Sequence, residues 1–139
     1  MNVLIARLDP KAKIPTLVHH GDVGYDLYLL GDHTLAPGER KDLPTGIAMG
    51  MENRYYGRIT GRSSSTRKGL HVAEGIIDSG YRGELFAYAV NQTDHPITLR
   101  HHDRIAQVVF SWAVRPQVIE VNELPDSARG ARGLGSSGQ

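Results

Sequence analysis

The chain has 139 residues, with 16 Lys and Arg against 15 Asp and Glu and a formal net charge of +1. That length makes one domain able to bury roughly two-thirds of its surface, and the even charge gives no reason to expect a nucleic-acid polymer as partner. With no cysteine, disulfide frameworks, thiol nucleophiles and Cys-ligated zinc are excluded together, and with them the zinc nucleobase deaminases.

The 16 Gly and 7 Pro are punctuation suited to short strands and turns, not to a helical bundle. Residues 1–7 alternate loosely through Val3 and Ile5 and predict an edge strand. After a loop with Pro10 and Pro15, a turn at Gly21 runs into an apolar strand ending near Leu30. Ala36-Pro37-Gly38-Glu39 predicts a tight turn, its adjacent Pro and Gly favouring type II. Leu43-Pro44-Thr45-Gly46 interrupts the chain again before residues 47–51. Residues 54–60 are β-prone, and residues 61–70 hold the one plausible helical turn, with Ser63 or Ser64 as N-cap. A strand over 84–90, with Phe86, Tyr88 and Val90 on one face, is broken by Asp94-His95-Pro96. Further strands are predicted over 97–99, 104–112 and 117–121.

No window keeps a helical period. The expected fold is therefore all-β, a jelly-roll-like sandwich or barrel with at most one short helix. From Ser127 the composition turns to Gly, Ser and Arg, which divides the chain into a β domain, 1–126, and a flexible C-terminal arm, 127–139. No apolar run approaches the ~20 residues of a membrane span and no signal-like stretch opens the chain, so a cytoplasmic protein without a membrane partner is expected.

Three stretches could carry chemistry. In Gly61-Arg62-Ser63-Ser64-Ser65-Thr66-Arg67, hydroxyls and free N–H groups at the start of a helical turn, flanked by two arginines, make an anion site. The alternative is a capped helix start with a solvated basic face. Asp78 follows Ile76 and Ile77, so its carboxylate would be held, partly desolvated, at the rim of the core, as a general base requires. It could also be an Asx-turn residue folding toward Gly80. The Arg/Gly/Ser arm reads either as an anion clamp or as a floppy terminus. The pairs His19-His20 and His101-His102 would point to opposite faces of a strand, so neither makes a natural two-ligand metal site.

The order of these stretches is more specific than any one of them. Gly24-Tyr25-Asp26-Leu27, Gly61-Arg62-Ser63-Ser64, Gly75-Ile76-Ile77-Asp78 through Tyr81-Arg82-Gly83-Glu84, Asp103-Arg104-Ile105-Ala106-Gln107, and Arg129-Gly130 through Gly135-Ser136-Ser137-Gly138 follow one another. This resembles the five ordered motifs of the trimeric deoxyuridine triphosphatase (dUTPase) family, in a superfamily that also holds the dCTP deaminases. The resemblance implies a jelly-roll subunit, a homotrimer with three sites at its interfaces, and magnesium-dependent hydrolysis of dUTP to dUMP and pyrophosphate. It implies that Asp78 activates the water attacking the α-phosphorus, and that Arg62, Ser63 and Ser64, with Gln107 of a neighbouring chain, hold phosphate oxygens. Ile76, Ile77 and Phe86 would line the nucleotide, and Tyr81 would pack on the deoxyribose. Asp26 would lie near the metal's water shell. The arm would close over the nucleotide with Arg129, Ser136 and Ser137 on the outer phosphates.

Three departures stand out. Leu134 occupies the place where the family usually has an aromatic that stacks on uracil, a contact worth about 1–3 kcal/mol per base in single-strand binders, and Arg132 stands where Gly is usual. The segment from Arg62 to Asp78 is a few residues short. Finally, the deaminases place a catalytic Glu three residues before the Asn that ends the strand after the third motif; here that residue is Tyr88. A phenol in place of a proton-shuttling carboxylate argues for the phosphatase. A dCTP deaminase, a bifunctional enzyme and a non-catalytic nucleotide-binding regulator are the alternatives on the same scaffold.

Overall fold

The computed structural model describes residues 1–133. Within them the chain forms β1 (Val3–Arg7), β2 (Gly24–Tyr28), β3 (His33–Leu35), β4 (Arg40–Pro44), β5 (Ile47–Met51), β6 (Tyr55–Thr60), α1 (Ser63–Arg67), β7 (Leu70–Val72), β8 (Gly75–Ile77), β9 (Phe86–Asn91), β10 (Ile97–Leu99) and β11 (Arg104–Trp112). The expected all-β class is what the chain adopts. Every pairing between strands is antiparallel, in four sheets ordered β2-β11-β6-β8, β4-β9-β7, β1-β5 and β3-β10. The sheets do not close into a barrel; they pack over a shared core as a sandwich does.

Alternation places the core. Leu27 on β2, Leu35 on β3, Leu43 on β4, Ile47 on β5, Ile59 on β6 and Ile105 and Val108 on β11 are all buried and meet Leu29 and Leu85 from the connections. Burying each such side chain is worth about 1.5–3 kcal/mol. The turn at Pro37-Gly38 closes as expected, with Glu39 N–H donating to the Ala36 carbonyl at 3.0 Å and Gly38 at φ 73°. Asn91, fully buried, satisfies both sides of its amide: it donates to the Leu35 and His95 carbonyls (3.0 and 2.8 Å) and accepts from Thr93.

Several local expectations are corrected. Residues 117–121 form no strand, because a β-prone segment needs a partner edge and no described strand pairs with them; Val118 and Ile119 are 92% and 70% exposed. The cap of α1 is Arg62, in extended conformation and without a side-chain cap bond, while Ser63 and Ser64 lie inside the first turn. Phe86, Tyr88 and Val90 do share a face of β9, but it is the outer one; Ala87 and Ala89 point into the core. The His19-His20 and His101-His102 pairs sit in turns and bends, not strands, and the rings of His101 and His102 stack with centroids 3.7 Å apart. No helix among the described residues is long and apolar enough to cross a membrane.

Candidate active site

The strand pairing assembles one cluster directly. On β2 and β11, Asp26 and Gln107 are cross-strand partners, and Gln107 also pairs with Thr60 at the end of β6, where the chain turns into α1. Arg62 leaves that junction in extended conformation and folds back over β2. Its Nε donates to Asp26 Oδ1 at 2.7 Å, and its Nη1 reaches Ser64 Oγ (3.2 Å) and the Arg104 carbonyl (3.3 Å). Arg104 Nη1 takes the other carboxylate oxygen, Oδ2, at 3.4 Å. Asp26 is thus a buried carboxylate, its side chain 7% exposed, held between two guanidiniums. That pairing satisfies the desolvated charge and fixes the direction of both arginines.

A β-bulge between Arg104 and Ala106 makes the cluster possible. In a regular strand Arg104 and Gln107, three residues apart, would face opposite sides. The extra residue re-aims one of them, and both line the same groove of ≈ 490 Å³ with Asp26, Arg62, Ser63 and Ser64. Gln107 crosses above Gly24 and donates from Nε2 to the Gly61 carbonyl at 3.0 Å. A Cβ at position 24 would stand 2.0 Å from Gln107 Oε1. Neither serine is spent on capping, and both line the groove. Gln107 shares the groove with Arg62, Ser63 and Ser64 of its own chain. The neighbouring chain expected to supply it is therefore not required.

A second, smaller cleft of ≈ 160 Å³ opens where β8 pairs with β6 in one sheet while β9 pairs with β4 and β7 in another. Ile77, Asp78, Tyr81, Phe86 and Tyr88 line it, with Ile59 and Leu85 in its floor. Ile76 lies at its edge, 55% exposed. The loop from β8 to β9 is tied by main-chain and arginine contacts: Tyr81 N–H donates to the Asp78 carbonyl at 3.0 Å, and Arg82 Nη1 donates to the Ser79 and Tyr81 carbonyls at 2.7 and 2.9 Å. The turn therefore closes without the Asp78 carboxylate, against the Asx-turn reading. That carboxylate is exposed on the single chain; the partial desolvation expected of it is absent because the cleft is open there. Tyr81 folds over Gly83 and donates its hydroxyl to the Glu84 carbonyl at 2.9 Å, and a Cβ on residue 83 would meet its phenolic oxygen at 2.3 Å. Glu84, the cleft's other carboxylate, accepts the Gly46 N–H at 2.8 Å.

Arg104, Gly24, Gly83 and Glu84 belong to the candidate site although the residues alone did not single them out. All but Glu84 act through close approach or a strand irregularity, which leave no mark in composition or period. In the arm, Arg129 and Arg132 each donate from Nε to the other's carbonyl, both at 2.9 Å, and neither lines either cleft. Leu134, Ser136 and Ser137 lie outside the described residues. Away from both clefts, a hydrogen bond from His95 holds the Asp94 carboxyl below its ordinary range, and the bond to Glu52 raises Arg54. Among the described residues no three His, Cys, Asp or Glu side chains converge as a metal site. With both Asp26 oxygens on guanidiniums, the donor set suits a hydrated ion carried by substrate phosphates, as magnesium commonly is, not one caged by protein.

This geometry has close counterparts. The dUTPase family model matches residues 10–138. A deoxyuridine 5'-triphosphate nucleotidohydrolase of Thermobifida fusca is 46% identical over 143 residues, covering 99% of this chain and 79% of that protein. Its cowpox virus namesake is 40% identical over 128 residues, covering 92% and 87%. The structure of Staphylococcus bacteriophage 80alpha dUTPase with dUPNHPP superposes with a TM-score of 0.94 at 27% identity, covering 99% of each chain. Family model, sequence identity and superposition agree: the chain belongs to the dUTPase family.

Proposed function

We propose that this protein hydrolyses dUTP to dUMP and pyrophosphate, with the triphosphate in the cationic groove and the nucleoside in the aromatic cleft. The observation that carries this reading is the division of labour between the two. One offers guanidinium, hydroxyl and amide donors; the other offers apolar and aromatic walls around one carboxylate, Asp78, that no described contact uses. Asp78 accepts a proton from a water as its oxygen attacks the α-phosphorus. The bond from that phosphorus to the bridging oxygen breaks and pyrophosphate leaves. Such a reaction needs mostly positioning and charge neutralisation, which Ser63, Ser64, Gln107 and the Nη2 of Arg62, without a hydrogen bond among the described residues, supply. Magnesium on the phosphates would neutralise further charge, with Asp26 reaching only its water shell.

Deamination is disfavoured by the same cleft, since Glu84 is tied to the backbone and Tyr88 stands where an acid would be needed. The two clefts and the exposed apolar run of Val118, Ile119, Val121 and Leu124 support a homotrimer in which the groove of one subunit meets the Asp78 cleft of another. In this reading the arm, residues 127–139, is a separate lid unit that brings Arg129, Leu134, Ser136 and Ser137 over the nucleotide and excludes water. The test is incubation with dUTP and dCTP separately, with magnesium, following nucleotides and pyrophosphate. dUMP and pyrophosphate from dUTP alone are expected, and Asp78→Asn should lower kcat by about 10²-fold or more. Deaminated product from dCTP, or an Asp78→Asn variant as active as the parent, would refute the assignment.

A further inference from the structure

Next to the phosphate groove lies a pocket of ≈ 450 Å³ that the hydrolysis described above does not use. Arg62, Ser64 and Arg104 line both spaces and so form the wall between them. Ser65, Lys68 and Asp103 line the pocket and not the groove, over a floor of Leu70, Ile97 and Leu99. The two sides of that wall differ in charge. In the groove the two guanidiniums meet two carboxylates, Asp22 and Asp26, and Asp26 takes a bond from each arginine. In the pocket the same guanidiniums are joined by Lys68, against Asp103 alone, whose Oδ2 accepts the Arg100 N–H at 2.7 Å. The groove is balanced; the pocket is net positive. Lys68 is the C-cap of α1, its N–H donating to the Ser65 carbonyl at 3.1 Å. Its ammonium makes no hydrogen bond or ion pair among the described residues. An apolar floor under charge of one sign focuses the field on the space above it.

On this geometry, and resting on the dUTP reading, we propose that the pocket is a second anion site, which takes the leaving pyrophosphate across the arginine wall. Cleavage turns a bridging oxygen of the substrate into a terminal one on pyrophosphate, adding charge that the balanced groove does not match. The net positive pocket does. Lys68 is its anchoring cation, the Ser65 hydroxyl a further donor, and Arg62 and Arg104 present cationic groups to both sides. Because pocket and groove are separate spaces, pyrophosphate in the pocket coexists with dUTP in the groove.

The test titrates inorganic pyrophosphate onto the full chain by calorimetry, without magnesium, in the parent, Lys68→Gln, Lys68→Arg and Lys41→Gln. Lys41, paired with Glu39, lines neither space and controls for the loss of one positive charge. Lys68→Gln should bind pyrophosphate about fivefold more weakly, the upper end for an exposed ion pair, while Lys68→Arg and Lys41→Gln stay near the parent. Initial rates on dUTP and the melting temperature should be the same in all four. With magnesium in excess, added pyrophosphate should lower the apparent kcat of the parent as well as raise its KM, and the effect on kcat should fade in Lys68→Gln. Equal pyrophosphate affinity in the parent and Lys68→Gln, or an equal loss in Lys41→Gln, overturns the pocket and leaves the dUTPase reading standing. A parent that does not turn over dUTP removes that reading, and the titration still decides the anion site.

Discussion

Replacing Gly24 with alanine probes how the phosphate groove is held. The new Cβ would lie 2.0 Å from Gln107 Oε1, 2.8 Å from its Cδ and 3.3 Å from its Cβ. Gly24 lies in strand β2 without a positive φ, so the backbone tolerates alanine and the strain falls on the glutamine, whose flexible end must swing away. That breaks its bond to the Gly61 carbonyl, costing about 0.5–1.5 kcal/mol of stability. It also removes an amide donor from the groove. A hydrogen bond to a charged phosphate oxygen is worth about 1.5–3 kcal/mol, or about 10- to 150-fold in kcat/KM. Steady-state hydrolysis of dUTP by Gly24→Ala, Gln107→Ala and the double variant forms a cycle. If alanine at 24 acts only by displacing Gln107, the double variant is no worse than Gln107→Ala. Additive losses, or full activity in Gly24→Ala, would refute the reasoning.

Three further outcomes follow from the same geometry. Gly83→Ala should push the Tyr81 phenol off the Glu84 carbonyl, raising KM for dUTP about tenfold or less and weakening rejection of UTP; an unchanged dUTP-to-UTP ratio would remove Tyr81 from the sugar contact. Deleting residues 129–139 should leave melting unchanged, since described residues from 127 onward are exposed, while kcat falls sharply; full activity would end the lid proposal. Chelating magnesium should suppress turnover, restored by adding the ion, without lowering the melting temperature, because no protein cage for a metal exists among the described residues. A large loss of stability on chelation would point to a bound structural ion instead.

Much of this was legible before any coordinates. Short strands between Gly and Pro turns, and the order of motifs from Gly24-Tyr25-Asp26 to the Arg/Gly/Ser arm, were enough for the all-β class and the family, because period and turn chemistry are local properties. The strand over 97–99 and the type II turn at Pro37-Gly38 are of that kind. Tertiary structure alone decided what meets what. The bulge that turns Arg104 toward Asp26 and the passage of Gln107 over Gly24 depend on residues far apart in sequence. So does the split of the site into two clefts, since β8 and β9 join different sheets. Residues 117–121 show the converse: their β-prone pattern is real, yet a strand needs a neighbouring edge to bond to, and no described strand pairs with them.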